Sequence, residues 1–445
     1  MNDSSLALVI GPRQRVTSPI RSSGEGVLLV FALMTLLAGI LFGYPFWHVR
    51  YSGIPLTLDR MLWIGVMLGL VVVMLRRGFA LREITRGDIF LVVFITYLGI
   101  SATIAAVGEN DSASVARWIF FYFVPATLYF SARQMQISES VQRVILIGIG
   151  CVGIYLALTG VAEVFGFGFL VFPPYILDQS ISGEFLGRAR GPLLNPVVNG
   201  FLMTIAWAAW IVLSRSAPRR WWPILLLVHA VMVVGIVSTL TRSVWMGACL
   251  SGLFLGYNLL PQRYRWAWLA TGAFVVILIA VLVKGLFWEM KRDRELSAAE
   301  AARSAQLRPI LAQLAWEMTK DHPFFGVGLA QYDRAKEGYL SNPLASYPVN
   351  QAKPYSQHNV FLSVLVETGA VGLTGFMFLL AAWGRDVALL RRDGNQNLCL
   401  LGVVALAAYI TNGMFHDVTI IPQMNAVLFT VVGLAQSVPR DPAAS

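Results

Sequence analysis

The residues able to do chemistry in this chain are few and sit in recognisable strings. Arg188 and Arg190 stand in Gly187-Arg-Ala-Arg-Gly-Pro-Leu-Leu-Asn195-Pro196, and Arg242 stands in Ser238-Thr-Leu-Thr-Arg-Ser243. A guanidinium stays charged and donates two parallel hydrogen bonds, which suits phosphate and diphosphate. The alternative for these arginines is contact with lipid headgroups, or pairing with Glu184 or Asp178. His358 lies in Tyr355-Ser-Gln-His-Asn-Val-Phe-Leu and is one of only five histidines. A neutral imidazole there could act as a base. His229 falls within an apolar stretch and reads as a packing residue, and His48 reads as interfacial. His322, before Pro323 in Asp-His-Pro-Phe-Phe-Gly-Val-Gly, suits a helix cap or a turn. His416, beside Asp417, is open to a structural or a functional role.

Metal chemistry has no sequence signature. None of the twelve Asp residues forms Asp-x-Asp, and no His-Glu-x-x-His or paired Cys occurs. Cys151, Cys249 and Cys399 are far apart in apolar segments, so neither a disulfide framework nor a zinc site is expected. No metal and no cofactor is expected. Glu163 and Glu367 are carboxylates within apolar segments, where ionisable groups are functional by default. Pairing with an arginine is the structural alternative. Glu367 is nine residues beyond His358, which places it on roughly the opposite helix face and argues against a direct partnership.

The elements that must hold these groups follow from composition. Of the 445 residues 57% are hydrophobic and 13% charged, against about a quarter charged in a soluble chain. This excludes a disordered chain, a fibre and an ordinary soluble enzyme, and predicts an all-α polytopic membrane protein. Twelve stretches approach the roughly 20 apolar residues that a span needs: 26–46, 60–76, 88–107, 115–131, 142–167, 197–214, 221–238, 243–260, 266–287, 358–384, 397–414 and 420–437. One set of alternating connections carries 18 arginines and the other 6. The arginine-rich set is expected in the cytoplasm, and this also accounts for the net charge of +10 without a nucleic-acid partner. Both termini are then inside. The expected plan is a cytoplasmic tail over 1–24, spans one to nine over 25–287, a long extracytoplasmic loop over 288–357, spans ten to twelve over 358–437, and a cytoplasmic tail over 438–445. The tails read as disordered. The long loop reads as a small helical cap on the outer face: Leu307, Ile310, Leu311, Leu314 and Met318 recur at helical spacing, and Pro309 suits a helix start.

This plan brings the candidates to one side. Even-numbered spans begin at the outer surface, opened by Asn195-Pro196, by Thr241-Arg242-Ser243 and by Ser356-Gln-His358. Asn, Thr and Ser are good caps. Three helix N-termini and two or three arginines at one surface would make an anion site, and the helix dipole there disfavours imidazolium.

Three segments resemble the O-antigen ligase and O-antigen polymerase family. They are Gly187-Arg188-x-x-Gly191-x-x-x-Asn195-Pro196; Thr241-Arg242-Ser243-x-Trp245-x-Gly247; and Arg308 to Leu373, with Asp321-His-Pro-Phe-Phe-Gly-Val-Gly-Leu and Gln357-His358-Asn359-Val-Phe-Leu-Ser-Val-Leu-Val-Glu367-Thr-Gly369-Ala-Val-Gly372-Leu. Val197 departs from the pattern, which often has a second Asn. The resemblance covers residues 180–375. It implies a GT-C-like glycosyltransferase of the bacterial inner membrane with a periplasmic active site, in lipopolysaccharide biosynthesis. The implied donor is an undecaprenyl-diphosphate-linked glycan, and the implied acceptor of a ligase is lipid A–core. Transfer would be metal-independent and inverting. His358 would be the base, with Arg188, Arg242 and Arg190 on the diphosphate and Asn195, His322, Asn359, Glu367 and His416 as supporting candidates. A polymerase would instead extend another lipid-linked glycan. A lipid-linked glycan transporter would show charges deep in several spans and repeat symmetry, and neither is evident.

Overall fold

The computed structural model describes residues 33–37, 39–43, 58–77, 84–109, 112–134, 139–181, 185–274, 298–340, 353, 355–390 and 396–437. Among the described residues every regular element is helical. The helices used below are α1 (Leu58–Arg77), α2 (Arg86–Glu109), α3 (113–134), α4 (Glu139–Phe165), α5 (Pro196–Ser214), α6 (Trp222–Ser238) and α7 (Arg242–Leu259). They continue with α8 (Ala298–Asp321), α9 (Tyr332–Leu340), α10 (Val360–Leu390), α11 (Gln396–Gly413) and α12 (Pro422–Ala435). Residues 33–43 and 262–274 are also helical where described. In α3 a π turn, Ile119–Phe123, joins Ala113–Trp118 to Val124–Gln134.

Six helices are long and apolar enough to cross a membrane, namely α2, α3, α4, α5, the segment 219–238 and α10. Shorter apolar helices cover 33–43, 397–413 and 422–435. The chain is a helical membrane protein. The disordered tails expected over 1–24 and 438–445, and the span ends within 275–287, lie outside the described residues.

Lipid provides little hydrophobic drive between helices, so small residues and polar pairs decide the packing. A Cβ on Gly235 of α6 would lie 2.7 Å from the Ala157 Cα of α4, so only glycine permits this approach. At the end of the bundle where α2 begins, the Arg133 and Asp88 side chains pair at 2.8 Å, and the Tyr129 hydroxyl donates to Asp88 at 2.9 Å. The helices α2 and α10 run antiparallel: the Gly87 N–H donates to the Asp386 carboxylate and the Tyr97 hydroxyl to the Thr368 carbonyl. Asp88, Arg133 and Asp386 therefore mark one end of the bundle. Asn195, Thr241, His358 and the 414–421 connection mark the other.

Two local expectations are corrected. Pro309 lies inside α8 rather than at its start. The helix already runs from Ala298 through an Ala-rich stretch, and Pro309 simply has no N–H to offer the carbonyl one turn back. The cap of α10 is Asn359 rather than Ser356: its Oδ1 accepts from the N–H groups of Phe361 and Leu362 at 2.9 and 3.1 Å. The apolar face of α8 behaves as its spacing requires. Leu311, Leu314, Ala315 and Met318 are buried against α9 and Val366, whereas Ile310 is only partly buried.

Candidate active site

The site is built on three helix N-termini that share an unusual approach. Leu194 precedes the cap Asn195, Leu240 precedes the cap position Thr241, and His358 precedes Asn359. All three have left-handed backbones, with φ of 53°, 47° and 50°. A left-handed residue without glycine costs about 1–2 kcal/mol, so surrounding contacts must hold each one. At His358 the holding contacts are specific. The Asn359 Nδ2 donates to the Met414 carbonyl at 2.9 Å, and the Ser363 hydroxyl donates to the Asp417 carboxylate at 2.6 Å. The start of α10 is thus tied to the α11–α12 connection. Asp417 is buried, and its other oxygen accepts from the Thr419 hydroxyl at 2.6 Å. Asn195 caps α5 with its Oδ1 on the Val197 N–H at 2.9 Å. Thr241 occupies the cap position of α7, but its hydroxyl turns back to the Thr239 carbonyl.

Electrostatics tie the groups at this end together. His358 is half-buried, and its basicity is lowered by desolvation and then by the Arg308 guanidinium, with Asp417 pulling the other way. His416 is pushed down to about 3 by burial, with Arg308, His358 and Arg188 adding to the effect. Arg308 itself is exposed, and its basicity is lowered by desolvation along the side chain and then by Arg242. Electrostatic influence thus links five segments remote in sequence: Arg188 before α5, Arg242 at the start of α7, Arg308 on α8, His358 before α10 and His416 after α11. Both imidazoles are uncharged at neutral pH, so positive charge is confined to the arginines. The Arg308 guanidinium also lies over the Phe415 ring at 5.8 Å, and that of Arg188 over Phe185 at 5.5 Å.

Other sequence candidates are engaged in contacts of their own. Arg190 is fully buried, with its Nε on the Glu163 carboxylate at 2.7 Å and its backbone N–H on the second oxygen at 2.8 Å. A further guanidinium N–H donates to the Ile176 carbonyl. This ties the Gly187–Asn195 loop to α4 and accounts for Glu163. Asp178 accepts from Ser180, and Glu184 lies outside the described residues. Glu367 is buried against Arg117 of α3 at 2.9 Å. His322 is exposed at the end of α8, where its carbonyl accepts the Gly326 N–H.

Removing one partner of a buried pair leaves an uncompensated charge and costs about 3–5 kcal/mol. Arg190→Ala should therefore lower the thermal midpoint in detergent sharply, and Glu163→Ala/Arg190→Ala should recover part of it. An Arg190→Ala protein that melts like wild type and loses only anion binding would place Arg190 in the site instead.

Sequence reasoning missed Arg308 and Asp417. Arg308 follows the buried Leu307 on an amphipathic helix and looks like ordinary solvent-face charge. Asp417 was visible only as the neighbour of His416. Among the described residues no group of three His, Cys, Asp or Glu side chains could hold a metal ion.

Residues 227–377 match the family model described as O-antigen ligase. The match spans Arg242, Arg308, His358 and Glu367, and stops before His416 and Asp417. No curated protein matches the chain.

Proposed function

We infer, for a chain whose residues 227–377 match the O-antigen ligase family model, that it is a glycosyltransferase moving a glycan from undecaprenyl diphosphate to a sugar hydroxyl of lipid A–core. The reaction would take place at the periplasmic face of the inner membrane. The observation that carries this reading is a linked set of charges in which Arg308 acts on both His358 and His416, Arg188 acts on His416, and Arg242 acts on Arg308, with the Arg308 guanidinium over Phe415. Like charges held near one another raise one another's cost, and an anion that reaches the exposed Arg242 and Arg308 relieves it. A diphosphate fits that need, and the N-termini of α5, α7 and α10 add their dipoles.

The chemistry follows from these groups. The acceptor oxygen attacks the anomeric carbon as the bond from that carbon to the diphosphate oxygen breaks. The electron pair leaves on the diphosphate, where the arginines stabilise the growing charge. His358, neutral at the start, takes the acceptor proton and becomes imidazolium. Asp417, fixed by Ser363 and Thr419, offsets that new charge. A single displacement inverts the anomeric centre. The arginines stand where a divalent cation would otherwise neutralise the diphosphate, so transfer should persist in excess EDTA. Loss of turnover that a divalent ion restores would contradict this.

The test of the whole reading is reconstitution of the purified chain with a lipid-linked glycan and either lipid A–core or a second lipid-linked glycan. Product on lipid A–core supports the ligase. Elongated lipid-linked glycan alone assigns a polymerase. Absence of any glycosidic product, with both substrates bound, overturns the enzyme reading.

A further inference from the structure

The segment between α8 and α9 does not simply cross the top of the bundle. Residues 323–328 are stitched into a break in α10, where Gly369 leaves helical geometry at φ 66° and ψ −171°. The N–H groups of Val327 and Gly328 donate to the carbonyls of Val366 and Glu367, both at 2.9 Å. In return the N–H groups of Ala370 and Val371 donate to the carbonyls of Pro323 and Phe324 at 2.8 and 3.2 Å. The Leu329 N–H donates to the Ser101 hydroxyl of α2 at 3.2 Å. A Cβ on Gly369 would lie 2.2 Å from the Phe324 carbonyl, and one on Gly326 2.5 Å from the backbone at 366–368. Both glycines also have positive φ, so both are required.

The depth of this junction is readable along the two helices. Gly369 is nine residues inside α10 and Ser101 is eight residues inside α2 from its Glu109 end. At 1.5 Å per residue these are about 14 and 12 Å, beyond the roughly 5–8 Å of one headgroup layer. No charged residue occurs from Pro323 to Tyr332. Phe324 and Phe325 are 66% and 68% exposed, and Ile104 and Val107 of α2 and Val371 of α10 are exposed nearby along the chain contacts. Non-helical backbone survives at membrane depth only when protein satisfies its polar groups, as the reciprocal bonds to α10 do here.

We propose that residues 323–329 form a re-entrant segment that dips into the bilayer, with Phe324 and Phe325 among the acyl chains. The segment anchors α8, and with it Arg308, over the site. The proposal rests on α2 and α10 crossing the membrane and is independent of glycosyl transfer. It also moves part of the expected outer cap into the membrane.

The test uses the full chain in nanodiscs, with the three native cysteines replaced and a bimane label on Phe325→Cys. Doxyl-labelled phosphatidylcholine should abolish most of its emission, and aqueous iodide should not. A label on Glu337→Cys, an exposed residue of α9, should respond to iodide instead. Phe324→Cys provides a second probe if the first variant folds poorly. Quenching of the Phe-site labels by iodide would overturn the proposal. Insensitivity to both quenchers would overturn it too, because it would mean that protein covers the pair.

Discussion

His358→Ala should lose most glycan transfer and keep donor binding. A positioned general base contributes roughly 10²–10⁴-fold, and the arginines that would hold the diphosphate come from α7, α8 and the loop before α5. They do not depend on the imidazole for their position, because the start of α10 is held by Asn359 on Met414 and by Ser363 on Asp417. The substitution keeps the Cβ of the left-handed residue and leaves the Asn359 cap in place. Donor affinity by direct binding and transfer by product analysis should be measured on the same folded preparation. Full transfer activity would remove the base assignment. Lost donor binding would move His358 into the diphosphate site.

Arg308→Ala and Arg242→Ala should each weaken donor binding and transfer together, because a phosphate partner acts in the ground state and the transition state alike. A hydrogen bond to a charged group is worth about 1.5–3 kcal/mol, so each loss should fall near 10–150-fold. Lysine at either position should rescue only partly: it restores the charge without the two-pronged geometry. Since the two arginines sit close enough for Arg242 to lower Arg308, their effects should not add, and the double variant should fall short of the product of the singles. Strict additivity, or full rescue by lysine, would count against a shared anion.

The sequence was most informative where a physical rule acts locally. Apolar run length located the six helices long enough to cross a membrane, and Asn195-Pro196 marked the start of α5 because an amide cap and a first-turn proline each satisfy an orphan of the helix end. It was least informative where a backbone twist is supplied by contacts. Leu194, Leu240 and His358 take left-handed conformations that no glycine announces, and the true cap of α10 lies one residue beyond His358. The arginines illustrate the same division. Scarcity singled out Arg188, Arg190 and Arg242 together, yet Arg190 is claimed by Glu163 across the bundle, a pairing at a separation of 27 residues that spacing does not reveal. Arg308 was hidden because a lone arginine beside a buried leucine on an amphipathic helix carries no signal of its neighbours, here Phe415 and Arg242. The Gly326 and Gly369 pair was legible as two glycine motifs, but their mutual contact was not.

Arg308, on a loop helix, acts on His358, before α10, within one working site. The most direct measurement is kcat/KM for transfer against pH in wild type and in Arg308→Gln. His358 is depressed below the ordinary histidine range by desolvation and by Arg308, and a base works only when unprotonated. Activity should therefore be present above that depressed value and fall as pH drops through it, placing the acid limb below about pH 6.5. Removing the Arg308 charge removes one of the depressing influences, so the acid limb of Arg308→Gln should move to higher pH, whatever its loss in rate. An acid limb that stays in place in Arg308→Gln, or its absence from the wild type, would contradict this.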